Sequence, residues 1–308
     1  MSAKWTTEQI PDQSGRTAVV TGANSGLGLI AARELARKGA RVVLACRNTE
    51  KGAAALEQIR AVAPVAELSL AQLDLGDLSS VQAFAEGFRS DHDGLDLLIN
   101  NAGVMAPPRQ LTADGFELQF GTNHLGHFAL TGRLIGAMEG REDARVVTVS
   151  SIAARGGRIK FDDPQSERRY NRWGAYNQSK LADLMLALEL DRRLRAAGST
   201  VKSLAAHPGW SATNLQSAAA PLIDRAFMRV VNATLAQSAD AGTLPILYAA
   251  TVPGLEGGVY IGPDGIGEFR GRPREVTPTA TALAEGAGAQ LWTLSEELTG
   301  VRFELAPA

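Results

Sequence analysis

Tyr176 and Lys180, in the run Trp173-Gly-Ala-Tyr-Asn-Gln-Ser-Lys180, have the residue types and spacing to move a proton. On a helix, positions i and i+4 share one face, with Cβ atoms about 5–6 Å apart. A cation so placed favours phenolate over phenol, which suits the tyrosine to general acid–base catalysis near neutral pH. Tyr-x-x-x-Lys also arises by chance on solvated helices, so the pair carries weight only with support from elsewhere in the chain.

That support lies upstream, in Thr17-Ala-Val-Val-Thr-Gly22-Ala-Asn-Ser-Gly26-Leu-Gly28, where a β-branched run and three glycines lead into a helical pattern. A strand, a glycine turn and a helix in that order bring backbone N–H groups and a helix N-terminus up to a pyrophosphate. Gly22 and Gly26 remove the steric block, Gly28 lets the helix approach the sheet, and Asn24, Ser25 and Leu27 complete the turn. The spacing is Gly-x-x-x-Gly-x-Gly rather than the commoner Gly-x-Gly-x-x-Gly. A plain tight turn is the alternative, and the flanking strand and helix favour a dinucleotide site.

The elements that must position these groups follow from periodicity. The first half alternates short Val/Leu/Ile runs with longer amphipathic segments, the pattern of βαβ units around a parallel sheet covered on both faces. Strands are expected near Thr17–Thr21, Arg41–Ala45, Glu67–Asp74, Leu95–Asn100, Arg145–Ser150, Val201–His207 and Val259–Ile261. Helices are expected over Leu29–Lys38, closed by Gly39, and over Lys51–Val62, Ser79–Arg89, Phe116–Met138 and Ala175–Ala197, with an amphipathic closing helix at Ala289–Leu298 that buries Trp292. No linker, repeat or low-complexity tract divides the chain. The expectation is one doubly wound α/β domain over residues 1–308, a Rossmann fold with about seven parallel strands. Right-handed crossovers put the loops after the strand C-termini along one sheet edge, where the distinctive residues lie.

The 308 residues include 45% hydrophobic side chains and carry a formal charge of −2, enough for a large core and too balanced for a nucleic-acid binder. The longest basic blocks are the pairs Arg168-Arg169 and Arg192-Arg193, read as solvated surface. A single cysteine, Cys46, excludes an internal disulfide and a cysteine-rich metal site and fits a reducing cytoplasm. Met1–Ile10 has no apolar run and no stretch of about 18 apolar residues occurs, so neither a signal peptide nor a membrane span is expected.

With the glycine loop, Asn100-Asn-Ala-Gly103, Ser150-Ser151 and Tyr176…Lys180 in this order, the chain resembles the short-chain dehydrogenase/reductases over about Thr17–Thr213. Within them it is similar to the retinol dehydrogenase and protochlorophyllide reductase-like branch. The similarity rests on Ala45-Cys46-Arg47, Thr122-Asn-His-Leu-Gly-His127, His207-Pro-Gly-Trp-Ser-Ala-Thr-Asn214 and the long insert Ile152–Gly174. The resemblance implies a catalytic tetrad of Asn123, Ser151, Tyr176 and Lys180. Ser151 would bond a substrate carbonyl while Tyr176 delivers the proton and hydride arrives from a nicotinamide. Lys180 would also hold the nicotinamide ribose, and Asn123 would fix a water linking Lys180 to solvent. The alternative for Asn123 is a helix-interior amide satisfying neighbouring backbone, and Ser150 is read as a strand-end packing or hydrogen-bonding residue.

The end of the second strand reads the adenosine ribose, where an acid would repel a 2′-phosphate. Here stand Cys46 and Arg47, a neutral residue and a guanidinium able to grip a phosphate with paired hydrogen bonds, which favours NADP over NAD. By the resemblance, Asp74 and Leu75 meet the adenine, and Asn101, Ala102 and Gly103 lie against its ribose and the sheet centre. Pro208 and Gly209 turn toward the nicotinamide, and Thr213 bonds its carboxamide or phosphate.

Residues of about 210–245, notably Leu215, Pro221, Leu222, Ile223, Phe227, Met228 and Val231, are expected to cover the cofactor and line an apolar substrate site. The same stripe also fits ordinary helix packing. The lone cysteine lies at the adenosine end, away from the reacting ring, so retinoid or chlorophyll-precursor chemistry rests on resemblance alone. The expected reaction is carbonyl/alcohol interconversion on a small, lipophilic molecule. His124, His127 and His207 are read as structural, since no third metal ligand accompanies the first two. A non-enzymatic alternative is an NADP-binding sensor or scaffold, for which an intact Asn123/Ser151/Tyr176/Lys180 set has no use. A homodimer pairing Phe116–Met138 and Ala175–Ala197 across a two-fold axis is expected, unless the Ile152–Gly174 insert blocks that surface and leaves a monomer.

Overall fold

The computed structural model describes residues 5–210 and 237–305. Eight strands form one sheet in the order β3-β2-β1-β4-β5-β6-β7-β8. They are β1 (Thr17–Thr21), β2 (Arg41–Cys46), β3 (Leu68–Gln72), β4 (Leu97–Asn100), β5 (Arg145–Val149), β6 (Lys202–Ala206), β7 (Tyr260–Pro263) and β8 (Pro273–Glu275). The first seven run parallel, and β8 returns antiparallel, pairing Ile261 with Glu275. The sequence reading stopped at seven strands. β8 is three residues long, begins with proline and exposes Arg274 and Glu275, the short charged form of an edge that discourages pairing with another chain.

Both sheet faces are covered, so the central strands β1, β4 and β5 are rich in Val, Leu and Ile and buried along their whole length. Side chains alternate across the pleat. Ala18, Val20, Val42, Leu44, Ile99 and Val147 pack in one cluster with Leu35 of α1 (Gly26–Arg37), Ile59 of α2 (Thr49–Arg60) and Ile246 of α6 (Ala239–Thr251). Val19, Val43, Leu98 and Val146 face the other way. They meet Phe84 of α3 (Leu78–Asp91), Phe128 of α4 (Gly126–Leu134), Leu190 of α5 (Arg172–Ala196) and Trp292 of α7 (Ala287–Thr299). Local sequence fixes the ends. Asn48, Asp77 and Asn171 cap α2, α3 and α5 through side-chain oxygens, and Gly39, at φ 92°, stops the chain after α1.

Two helical features depart from the periodicity reading. The segment expected as one helix from Phe116 to Met138 has a π-helical turn at Phe120–Leu125, in which Gly126 N–H bonds to the Gly121 carbonyl. It continues as α4 and closes as 3-10 helix at Ile135–Met138. In addition, residues from Ala239 onward form α6, whose Asp240 pairs with Arg33 of α1 and whose Ile246 and Leu247 are fully buried.

The outer faces of α4 and α5, the helices expected to pair across a two-fold axis, carry packing from α7 and Phe303 of the same chain. α7 lies along α5, with the Arg193 guanidinium 4.4 Å over the Trp292 ring. Phe303 packs, tilted, against Phe128 and Trp292, and a Cβ on Gly132 of α4 would come within 2.7 Å of its ring. Among the described residues no helix is long and apolar enough to cross a membrane.

Candidate active site

Because β1 and β4 are neighbours while their connections leave in opposite directions, the strand order opens a crevice at their C-terminal ends. A cleft of about 790 Å³ occupies it. Of the residues expected there, Gly22, Asn24, Ser25, Gly26, Leu27, Arg47, Asp74, Leu75, Asn101, Ala102, Gly103, Ser151, Tyr176, Lys180, Pro208 and Gly209 all line it. Gly28 and Asn123 lie behind the wall, and Thr213 lies outside the described residues, as do Leu215, Pro221, Leu222, Ile223, Phe227, Met228 and Val231.

The glycine turn is held by its neighbours. Gly22 and Gly26 have φ of 67° and 57°, conformations costly to any residue with a Cβ. A Cβ on Gly28 would stand 2.6 Å from the Gly22 carbonyl oxygen and 2.5 Å from the Asn101 amide nitrogen, so α1 starts hard against the turn. Thr21 Oγ accepts from the backbone N–H groups of Asn101 and Ala102, each at 2.9 Å, and Asn101 Nδ2 donates to the Thr21 carbonyl. The loops after β1 and β4 are thereby locked together. Ser25 makes no side-chain capping bond, so the first-turn N–H groups of α1 are left to an anion in the cleft.

At the adenosine end, Arg47, Asn48 and Lys51 line the cleft, and Asp74 is the one carboxylate among the described lining residues. Its Oδ1 accepts from Gly76 N–H. Cys46 is buried, with its thiol pushed up to about 11 by burial, and packs into the core instead of facing the cleft.

At the other end stand Ser151, Tyr176 and Lys180. Ser151 follows β5 and caps a 3-10 turn (Ile152–Gly156), accepting from Ala153 N–H at 3.2 Å, which leaves its hydroxyl proton for the cleft. Ser150 is buried and donates to the Lys180 carbonyl, the packing role expected of it. Tyr176 and Lys180 sit on one face of α5 as their spacing requires. Trp173, a turn earlier, is half-exposed and packs edge-on against the Tyr176 ring at 6.2 Å. Val104, Met105, Ile152 and Trp210 extend this apolar wall.

Lys180 is only 5% exposed. Its ammonium donates to the Val149 carbonyl and to Asp183 Oδ2, both at 2.9 Å. Burial pulls Lys180 toward the neutral form, but Asp183 and Tyr176 outweigh it and hold the ammonium above the ordinary lysine range. Asp183, also fully buried, is raised by desolvation against the pull of Lys180, to about 6. The sequence reading did not single out Asp183. A Lys/Asp pair three apart on a helix is normally a solvated surface pair, and only the burial of this face makes it otherwise.

Asn123 falls in the π-helical turn and is completely buried. Its Oδ1 accepts from Val104 N–H, and its amide nitrogen donates to the Val104 carbonyl and to Ser179 Oγ. It therefore ties the β4 loop to α5. Its own carbonyl meets His127 Nδ1 at 2.7 Å, while His127 Nε2 meets Thr21 Oγ at 2.9 Å. His124 and His127 are both depressed to about 3 by burial and stay neutral. No cluster of metal ligands exists among the described residues. His207 follows β6, is held toward the neutral form by burial against the pull of Glu268, and bonds that carboxylate at 3.0 Å. Glu268 in turn pairs with Arg155, which links the turn after Ser151 to the Pro208–Gly209 loop.

A model of the short chain dehydrogenase family matches residues 16–222, more than half of the chain. Human retinol dehydrogenase 12 is 40% identical over 97% of this chain and 90% of its own, and human retinol dehydrogenase 14 is 38% identical over 93% and 87%. A crystal structure from Mycobacterium paratuberculosis superposes with a TM-score of 0.83 at 46% identity, covering 98% of this chain and all of the other. A short chain dehydrogenase from Shigella flexneri complexed with NADP shares the fold at a TM-score of 0.65 and 21% identity, over 82% and 98% of the two chains. The sheet order, the glycine turn, the serine–tyrosine–lysine wall and these relatives converge: the chain belongs to the short chain dehydrogenase family, in its retinol dehydrogenase-like branch, and is a carbonyl/alcohol oxidoreductase.

Proposed function

We propose that the protein is an NADP-dependent reductase and dehydrogenase of small lipophilic carbonyls and alcohols, with Tyr176 as its acid/base. The observation that carries the reading is the shared cleft wall of Ser151, Tyr176 and Lys180 facing the glycine turn. The cleft residues fit a dinucleotide: the uncapped start of α1 suits a pyrophosphate, and Arg47 and Lys51 suit a 2′-phosphate. NADPH, when bound, supplies the hydride.

Ser151 donates a hydrogen bond to the substrate oxygen and fixes its direction. Tyr176 gives its proton to that oxygen as charge develops there, so no free alkoxide forms. Lys180 steadies the resulting phenolate, and in alcohol oxidation Tyr176 takes the proton back. Asn123 supports both groups by holding the Gly103–Val104 segment against α5. Val104, Met105, Ile152, Trp173 and Trp210 offer an apolar surface, consistent with relatives named retinol dehydrogenases.

The test is to mix purified protein with NADPH or NADP and a panel of aldehydes, ketones and alcohols, following the absorbance of reduced nicotinamide. Turnover that disappears in Tyr176→Phe is expected. Cofactor binding with no turnover across the panel would favour a sensor.

A further inference from the structure

An ammonium as deeply buried as that of Lys180 is costly unless its charge and its N–H groups are matched. Lys180 has three donors. Val149 and Asp183 take two of them from fixed directions, and the third is left for the cleft. Gly103 leaves this side open, since a Cβ there would lie 3.7 Å from Nζ.

The other carboxylate oxygen of Asp183 has no hydrogen-bond partner among the described residues and lies 4.0 Å from His124 Nδ1, which also has none. His124 Nε2 meets Ser295 Oγ of α7 at 2.8 Å, and that hydroxyl donates to the Leu291 carbonyl. With its proton given away, Ser295 accepts from Nε2–H, so the imidazole presents a lone pair to Asp183. The histidine does not neutralise the carboxylate. Lys180 on the same helix and His124 from the π-helical turn are the titratable groups that face Asp183, with Tyr176 and His127 next beyond them. Both histidines are neutral, so among the described residues the Lys180 ammonium is the cation that opposes this anion.

We infer that Asp183 is a positioning residue for Lys180, aiming the ammonium at the cleft and, by offsetting its charge, setting the pH at which Tyr176 exchanges its proton. This rests on Tyr176 being the acid/base. An anion behind Lys180 weakens the field that favours phenolate, while favouring the charged form of Lys180. Aim and charge are separable, because Asp183→Asn keeps an acceptor oxygen and removes the charge, whereas Asp183→Ser loses both.

The experiment measures alcohol oxidation with NADP against pH, a direction that needs the phenolate. Asp183→Asn is expected to move the acid limb of the rate profile to lower pH by about one unit. Its plateau kcat stays within a factor of about three of the wild type. Asp183→Ser is expected to move the limb equally and to lower the plateau on the order of tenfold, the loss of one charged hydrogen bond. NADPH affinity stays near that of the wild type in Asp183→Asn, which keeps the aim. An unmoved limb in a variant that binds NADPH normally overturns the inference, as does failure of both variants to fold, which would make the pair a stability element only. Should the wild type turn over no substrate, the proposed function fails separately. The inference is then read from phenolate absorbance against pH, as the difference from Tyr176→Phe, in wild type and Asp183→Asn; identical curves overturn it.

Discussion

The Lys180 ammonium donates to the carbonyl of Val149, two residues before Ser151, at 2.9 Å, and Ser150 returns a hydrogen bond to the Lys180 carbonyl at 2.7 Å. The helix that carries the phenol and the strand end that carries the hydroxyl are thus fastened to each other by backbone groups, which do not depend on a ligand. Ser151, Tyr176 and Lys180 form one preformed unit, and in the proposed reaction they would act without reorganisation, the condition for electrostatic help.

Tyr176→Phe should therefore lower kcat by roughly 10²–10⁴-fold while leaving the cleft and its affinity for NADPH intact. Stopped-flow turnover together with a fluorescence titration of NADPH checks both halves. A variant that binds normally and turns over at the wild-type rate would remove Tyr176 from the mechanism.

Arg47→Asp should weaken NADP by roughly 10–100-fold, the worth of a charge-assisted hydrogen bond, and change NAD far less. Calorimetric Kd values for the two cofactors decide it. Equal losses would mean that the guanidinium does not meet the 2′-phosphate.

Gly28→Ala should destabilise the fold by on the order of 1–3 kcal/mol, because the new methyl meets the Gly22 backbone, which has no rotamer with which to move aside. Denaturant unfolding, with and without NADPH, measures the cost. An unchanged midpoint would show that α1 retreats freely.

Acid should loosen the protein through its histidines. His124 and His127 ionise near 6.5 when unfolded and only at about 3 when folded. The unfolded chain therefore binds more protons between those values, and stability present above pH 6.5 is lost as pH falls toward 3. By pH 5 each histidine costs on the order of 2 kcal/mol. Asp183, raised from 3.8 to about 6, acts in the opposite sense across that narrower window and offsets part of one of the two. A net fall in thermal midpoint from pH 7 to 5 is expected, and a smaller fall in His127→Gln. A profile flat over that range contradicts the assignment.

The covering of α4 and α5 by α7 and Phe303 predicts a monomer in dilute solution. Sedimentation velocity across a hundredfold range of concentration tests it. A stable dimer would require another surface.

Much of this was legible in the sequence, for physical reasons that differ from part to part. β1, the glycine turn and the Tyr176/Lys180 pair lie in short contiguous runs whose chemistry is local, and all were placed correctly. The π-helical turn was not, since one additional residue leaves no periodic mark in Phe120–Leu125. α6 was hidden by Pro245, a residue that costs a helix interior about 3 kcal/mol and here survives because Ile246 and Leu247 are fully buried around it. Asp183 was hidden by its ordinary look as a surface pair. The substrate wall was read mainly from Leu215–Val231, outside the described residues, whereas Trp173 and Met105 in the cleft had drawn no notice.

An ordinary α turn would span Phe120–Leu125 with a residue fewer. A single deletion there would let the helix close as an ordinary α turn with its flanks still in phase, so Gln119, which holds the Ala106 N–H, and His127, which meets Thr21, would keep their directions. What would go is the widened turn that carries the Asn123 amide between Val104 and Ser179. The spare residue serves that one amide, and the remainder of the helix is indifferent to it.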